Sequence, residues 1–147
     1  MKAAVTGVLA ALAVVACGGG SDSKNDTQNA SAQTQTISAP AVSTSATTVG
    51  GSNLNMNTNG NEYLVQFNGT ANITLSGSSN KVWIANNQAI GGFYLSGTGN
   101  TVVFQTGANV MSLDITGSGN TIYIPVGSAI VAKGATENST TVKTYTP

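Results

Sequence analysis

The chain has 147 residues with 5 basic and 5 acidic side chains, so its formal net charge is zero. Only 7% of the residues are charged, whereas an ordinary soluble domain has about a quarter. A zero net charge gives no electrostatic attraction to nucleic acid. A chain with no histidine and one cysteine cannot build a zinc site, a Ser-His or Cys-His dyad, or an internal disulfide. We therefore expect one modest domain without a metal, a cofactor or a nucleic-acid partner.

The N terminus has the pattern of an export signal. Lys2 supplies a positive charge, and Ala3–Ala16 is apolar but too short to span a bilayer. The Val-Val-Ala-Cys run that ends at Cys17 resembles the bacterial lipobox. This resemblance implies a signal peptide over residues 1–16 and a covalent lipid on Cys17. Gly18 follows the cysteine in place of Asp. By analogy with other lipoproteins, that residue favours the outer membrane.

The segment after the cysteine is polar and offers little to bury. Between Gly18 and Thr48 the only large aliphatic residues are Ile37 and Val42. Such a stretch cannot offset its own ordering entropy. We therefore expect residues 17–48 to be a lipidated cysteine followed by a disordered tether with a reach of roughly 30 Å. The folded domain is expected over residues 49–147, including a C-terminal cap.

A repeat with a period of 20 residues begins near Leu54. Three segments align without a gap, and an earlier, more degenerate copy precedes them by 19 residues. Five columns of the alignment are apolar: Leu54/Ile73/Phe93/Leu113, Met56/Leu75/Leu95/Ile115, Tyr63/Val82/Val102/Ile122, Val65/Ile84/Phe104/Ile124 and Ile90/Val110/Ile130. Within each segment apolar residues alternate with polar ones, which is typical of strands that face a core on one side.

The repeat predicts an all-β fold, a short parallel β-solenoid of about four rungs. Each rung has two strands that flank a turn rich in Gly and Ser and ending in Asn, where positive φ angles allow a sharp bend. Equivalent residues then stack about 4.8 Å apart. The alternative is an antiparallel meander closed into a barrel or sandwich. A barrel does not require the same residue class at the same phase of a strict period.

The tandem Gly-Ser/Thr-Gly-Asn-Thr-Val/Ile units behind a lipobox and a polar tether resemble a bacterial family of small secreted or lipid-anchored repeat proteins of unknown function. The resemblance covers about residues 54–132. In the first repeat, residues 57–61 depart from the Gly-rich turn. A weaker likeness is to the strand–turn–strand repeats of the curli major subunit, whose regular Gln and Ser positions this chain lacks.

Catalytic chemistry is not indicated. The charged residues of the repeat region are scattered, with Glu62 and Lys81 in one outward column and Asp114 in another. No two carboxylates share a column or lie in neighbouring rungs, so we expect no acid/base pair and no enzyme activity. A calcium-binding solenoid needs an Asp in each repeat, and only Asp114 is present.

Two other columns of the alignment are candidates for a structural or a binding role. The Asn61/Asn80/Asn100/Asn120 column is expected to form a structural amide ladder. The Leu64/Trp83/Val103/Tyr123 column lies between inward columns and should therefore face outward, with Tyr94 nearby in phase. Exposed apolar and aromatic side chains in a row are typical of an interaction site. Packing of this ridge under the tether or the C-terminal segment is the alternative.

The sequence thus predicts a lipid-anchored envelope protein that displays a non-enzymatic interaction or structural module. Its partners are expected to be the membrane, through the anchor, and a glycan or another envelope protein. A carbohydrate-binding module that uses Trp83, Tyr94 and Tyr123, and a self-assembling curli-like subunit, are the alternative functions.

Overall fold

The computed structural model describes residues 37–147, which form eleven strands and no helix. The predicted signal peptide, Cys17 and the first part of the predicted tether lie outside the described residues. The strands are β1 Thr47–Val49, β2 Asn53–Met56, β3 Glu62–Val65, β4 Thr70–Leu75, β5 Lys81–Ile84, β6 Ala89–Leu95, β7 Thr101–Phe104, β8 Asn109–Ile115, β9 Thr121–Pro125, β10 Ala132–Lys133 and β11 Thr141–Tyr145.

The strands alternate between two sheets. The odd-numbered strands form sheet A, in the order β1-β3-β5-β7-β9-β11, and the even-numbered strands form sheet B, in the order β10-β8-β6-β4-β2. Every pair in both sheets is parallel. The register joins residues 19 or 20 positions apart, such as Val82 with Val102, except between β1 and β3, where Val49 pairs with Val65. The predicted parallel solenoid is confirmed, and the antiparallel alternative is wrong.

The solenoid has about 5 turns rather than the four expected. The additional length comes from the two ends of sheet A. The structure pairs β1 with β3 and β11 with β9, although neither segment shows the repeat motif. The predicted boundary between tether and domain, at residues 48 and 49, therefore falls inside β1. End rungs are covered on one side only, which relaxes the pattern that their side chains must satisfy.

The core lies between the two sheets and consists of the apolar columns that the repeat predicts. Val82, Ile84, Phe93, Leu95 and Val102 are each at most 1% exposed. The rings of Phe93 and Phe104 meet edge to face, with centroids 5.9 Å apart. At the C-terminal end, the Tyr145 hydroxyl donates a hydrogen bond of 2.8 Å to the carbonyl oxygen of Phe104, which ties β11 to the core.

One bulge explains why the period changes from 19 to 20 residues. Ala71 pairs with Ile90, but Ile73 pairs with Phe93, so β6 has one residue more than β4 in this stretch. Asn72 faces both Gly91 and Gly92, and its Oδ1 accepts a hydrogen bond of 2.9 Å from the Gly92 N–H. A Cβ on Gly91 would lie 2.8 Å from the same Oδ1. The glycine pair therefore lets the bulge close.

The turns use glycine and asparagine in different ways. Positive φ occurs at the residue before each Asn of the turn column, for example at Ser79 and Gly99. The asparagines themselves adopt no positive φ, which corrects the expectation that they share this role with glycine. Gly97 is required for another reason, since a Cβ there would lie 1.8 Å from the Gly77 carbonyl oxygen. Neighbouring rungs therefore approach each other closely at this turn, and Gly77 and Gly117 occupy the equivalent positions.

The asparagine side chains instead connect the rungs. Asn80, Asn100 and Asn120 are each 1% exposed. The Oδ1 of Asn100 accepts from the backbone N–H and the Nδ2 of Asn80, at 2.9 and 3.1 Å, and Asn120 does the same for Asn100 at 2.8 and 3.2 Å. Asn61 is exposed, and its Nδ2 donates to Asn59 within its own turn. The buried ladder thus contains three of the four residues of the column.

Candidate binding site

The outer face of sheet A carries two columns of side chains along the solenoid axis. The strand register places Glu62, Lys81, Thr101 and Thr121 in the first column. It places Leu64, Trp83, Val103, Tyr123 and Lys143 in the second. The second column is the predicted ridge, extended by Lys143. Both columns point away from the core, as strand alternation requires.

The ridge is not the exposed surface that the sequence predicted. Trp83 and Val103 are each only 2% exposed, and Leu64 and Tyr123 are half-buried. Tyr94 is 51% exposed but lies on the outer face of sheet B, where it pairs with Asp114. The structure agrees with the alternative, in which the ridge packs under the tether: Trp83 at its centre is covered and bonded to Pro40. The expectation that Tyr94 shares this surface is wrong, because Tyr94 lies on sheet B.

Residues 37–46, which we call the strap, lie against this face of sheet A. The indole Nε1–H of Trp83 donates a hydrogen bond of 2.9 Å to the Pro40 carbonyl oxygen. The Ser45 hydroxyl donates one of 2.7 Å to Oε2 of Glu62. These contacts are made by residues 40 and 45, inside the segment predicted to be a disordered tether. The strap therefore belongs to the domain, and it extends over the rungs of Trp83 and Glu62.

A groove of about 410 Å³ lies beside the strap. The strap forms one side of it, and the two outward columns of sheet A form the remainder. Its lining consists of Pro40, Ala41, Ser43, Glu62, Lys81, Trp83, Thr101, Thr121, Tyr123 and Lys143. Its volume lies within the range of about 300–1,000 Å³ that is usual for small-molecule sites. The groove combines hydroxyl groups, aromatic rings and charged groups of both signs.

The charges of the groove are arranged asymmetrically. Glu62 and Lys81 form a salt bridge of 2.9 Å, so their charges compensate each other. Hydrogen bonds from Ser43, Ser45 and Lys81 lower the pKa of Glu62 from 4.5 to about 2, which keeps this carboxylate ionised. Lys143 lies over the ring of Tyr123, with Nζ 5.3 Å from the ring centroid. Within residues 37–147 the salt bridge of Glu62 and Lys81 is the only one.

Part of this site is predictable from the sequence. The repeat places Glu62 and Lys81 in one outward column, although no binding role was expected for these charges. The strap residues and Lys143 were not predicted. Lys143 could have been found, because it follows Tyr123 by one 20-residue period. No local signal in residues 37–46 predicts that Pro40 contacts a residue 43 positions later.

Residues 37–147 contain no cluster of three or more His, Cys, Asp or Glu side chains that could hold a metal ion. The same residues include no helix of the length and apolar character that a membrane crossing requires. Comparison with models of protein families, with curated proteins and with solved structures gave no match to this chain. The resemblance to a bacterial repeat family therefore depends on the sequence motifs alone.

Proposed function

We propose that this protein is a lipid-anchored envelope protein, most consistent with the outer membrane, whose solenoid is a non-enzymatic saccharide-binding module. The anchoring part of the proposal is supported by the lipobox-like run before Cys17 and the apolar stretch Ala3–Ala16. The binding part is supported by the groove on sheet A. It retains Trp83 and Tyr123 from the carbohydrate-binding hypothesis and excludes Tyr94.

The composition of the groove is the observation that carries the proposal. A saccharide presents hydroxyl groups, which can pair with those of Thr101, Thr121 and Ser43, and apolar ring faces, which can contact an aromatic side chain. Tyr123 is half-buried and therefore accessible to a ligand, whereas Trp83 borders the groove with only 2% of its surface exposed. Tyr123 is thus the main aromatic contact that we expect.

Lys143 indicates the class of saccharide. Its ammonium borders the groove, and no carboxylate of residues 37–147 forms a salt bridge with it. The carboxylate of a bound uronic acid can supply that partner in a charge-assisted hydrogen bond. Lys81 is already compensated by Glu62, so a single negative charge near Lys143 balances the groove. We therefore propose a saccharide that carries carboxylates over a neutral one.

A fluorescence titration tests the binding proposal, because Trp83 is the one tryptophan of the chain and borders the groove. The probes are an oligogalacturonate and its methyl-esterified counterpart of equal length, which lacks the charge. We expect the charged probe to bind more tightly, Tyr123→Ala to weaken binding of both, and Lys143→Met to remove the preference. Tyr94→Ala, on the other sheet, is the matched control and should leave binding unchanged.

Two results would refute the binding proposal: no saturable response to either oligosaccharide, or equal weakening by Tyr94→Ala and Tyr123→Ala. A preference for the charged probe that survives Lys143→Met would refute the role of Lys143 alone.

The anchor is tested separately with Cys17→Ser. We expect this variant to lose palmitate labelling and to leave the detergent phase of a phase-separation assay, because the thiol is the acylated group. A variant that still incorporates palmitate and partitions with membranes would show that the lipobox interpretation is wrong.

We do not extend the proposal to fibre formation. Sheet A begins with the three-residue β1 and sheet B ends with the two-residue β10. Short edge strands are a common protection against the addition of further strands.

A further inference from the structure

We propose that the strap is a movable wall of the groove: it opens while the solenoid stays folded, and a bound saccharide holds it closed. The ligand in this inference is the one named in the proposed function, on which the coupling depends. The opening of the strap does not depend on it.

The strap is attached to the domain by few interactions. Between Ile37 and Ala46 the chain forms no strand, and none of these residues is buried. Side-chain hydrogen bonds connect the strap to sheet A at only two residues of the sheet, from Trp83 to Pro40 and from Ser43 and Ser45 to Glu62. Segments with few buried contacts and no sheet pairing open at a lower free-energy cost than the domain as a whole.

The sheet beneath the strap does not need it for its own backbone hydrogen bonds. Strands β3, β5 and β7 pair with one another along the whole stretch that the strap crosses. On the other side of these strands Val65, Val82, Ile84, Val102 and Phe104 are fully buried between the two sheets, and Tyr63 is partly buried. Opening the strap therefore exposes the Trp83 side chain on the outer face but leaves the rungs and the core intact.

The same residues connect the strap with the groove. Pro40, Ala41 and Ser43 form one side of the groove, and they belong to the strap. Glu62 lines the groove and also accepts the hydrogen bond that fastens Ser45. A ligand in the groove thus contacts the sheet and the closed strap together, and it loses the strap contacts when the strap opens. Ligand binding and strap closure must then favour each other to the same extent.

Hydrogen exchange of the Trp83 indole N–H tests this inference. The chain has one tryptophan, so the full chain gives a single indole resonance, and its N–H is the group bonded to Pro40. The backbone amide of Val102, in the middle of sheet A, reports global unfolding in the same sample. We expect the indole N–H to exchange at least about 100-fold faster than this amide, since local opening is less costly than unfolding.

A matched pair of serine variants tests the hydrogen bond that holds the strap against sheet A. Ser45→Ala removes the hydrogen bond to Glu62, and Ser112→Ala removes a similar serine–carboxylate hydrogen bond, to Asp114, from the outer face of sheet B. We expect Ser45→Ala to accelerate indole exchange about two- to fivefold, as the loss of an exposed charge-assisted contact does. The Val102 amide should change little, and Ser112→Ala should leave indole exchange unchanged.

The ligand arm uses the oligogalacturonate at ten times its Kd. If the ligand binds only to the closed form, indole exchange should slow about elevenfold. A saturated protein whose indole exchanges at the unliganded rate would overturn the coupling, because the ligand would then bind the open and closed forms equally.

An indole N–H that exchanges as slowly as the Val102 amide would overturn the movable strap itself. If the oligosaccharide does not bind at all, the proposed function fails and the coupling fails with it. The rate comparison in the unliganded protein would still decide whether the strap opens.

Discussion

Replacing Asn100 by Ala tests the asparagine ladder most severely. The Asn100 side chain accepts two hydrogen bonds from Asn80 and donates two more, to the Gly77 carbonyl oxygen at 2.9 Å and to Asn120 at 3.2 Å. The truncation removes all four. Asn80 Nδ2 retains its bond to Thr58, and Asn120 Oδ1 still accepts from the Asn100 backbone. The groups that lose their side-chain partner are the Asn80 N–H and the Gly77 carbonyl.

The magnitude follows from these two groups. A buried polar group left without a partner costs about 1–3 kcal/mol. Two such groups, in a turn where Asn80 and Asn100 are each 1% exposed, give an expected loss of about 2–6 kcal/mol. That is a large fraction of the 5–15 kcal/mol by which a domain is typically stable. We therefore expect this single truncation to bring the domain close to unfolding at room temperature.

The free energy of unfolding can be measured by urea denaturation followed by circular dichroism. Asn61→Ala is the matched control, because Asn61 occupies the same column but is exposed, and its side chain makes one hydrogen bond, to Asn59. It should cost less than about 1 kcal/mol. Similar losses in the two variants would show that the buried ladder does not stabilise the fold.

Three further predictions concern the core, the turns and the strap. Leu95→Asp places an unpaired charge in the core and should unfold the domain, whereas Thr98→Asp in an exposed turn should cost less than about 1 kcal/mol by urea denaturation. Equal losses of unfolding free energy in the two variants would contradict the assignment of Leu95 to the core and Thr98 to the surface. Gly97→Ala places a Cβ 1.8 Å from a backbone oxygen of the preceding rung and should cost about 3 kcal/mol or more. Gly99→Ala should cost about 1–2 kcal/mol, because only its φ of 64° is unfavourable. A higher melting temperature for Gly97→Ala than for Gly99→Ala would be inconsistent with the close approach of the rungs. Because the pKa of Glu62 is lowered from 4.5 to about 2, its contribution to strap closure is complete above about pH 4.5 and is lost as the pH falls towards 2. Acrylamide quenching of the single tryptophan should rise only as the pH falls from about 4.5 towards 2. Quenching that does not depend on pH, or an identical rise in Glu62→Gln, would contradict the role of the Glu62 carboxylate in strap closure.

The periodic part of the fold could be predicted because each rung repeats the same physical requirement. Columns such as Val82/Val102/Ile122 keep their apolar character at a fixed phase, which only stacked parallel strands demand. The same arithmetic placed Glu62 beside Lys81, and the structure pairs them in a salt bridge. Local alternation and a long-range period agree here, and such consistency is what makes a fold predictable from sequence.

The sequence offers packing of the ridge under the tether only as an alternative, and it does not predict which tether residues make the contacts. Nothing in residues 37–46 distinguishes them from a flexible tether. Most residues of the strap are alanine, serine or threonine, and its position is decided by Trp83 and Glu62, which lie far along the chain. Strand alternation correctly sent the Trp83 side chain outward, but orientation on a strand does not determine exposure. The covering segment decides that, and it follows no period. This is why the interpretation of the ridge was wrong at its centre.

The proposed saccharide site is the groove between the strap and sheet A. Amide chemical-shift mapping by NMR tests it most directly, with the oligogalacturonate added stepwise to the labelled full chain. We predict saturable shifts that cluster at Thr101, Thr121, Tyr123 and Lys143 and in the strap at Ala41–Ser43, with sheet B around Tyr94 unaffected. Shifts confined to sheet B, or no saturable shifts at all, would contradict the claim.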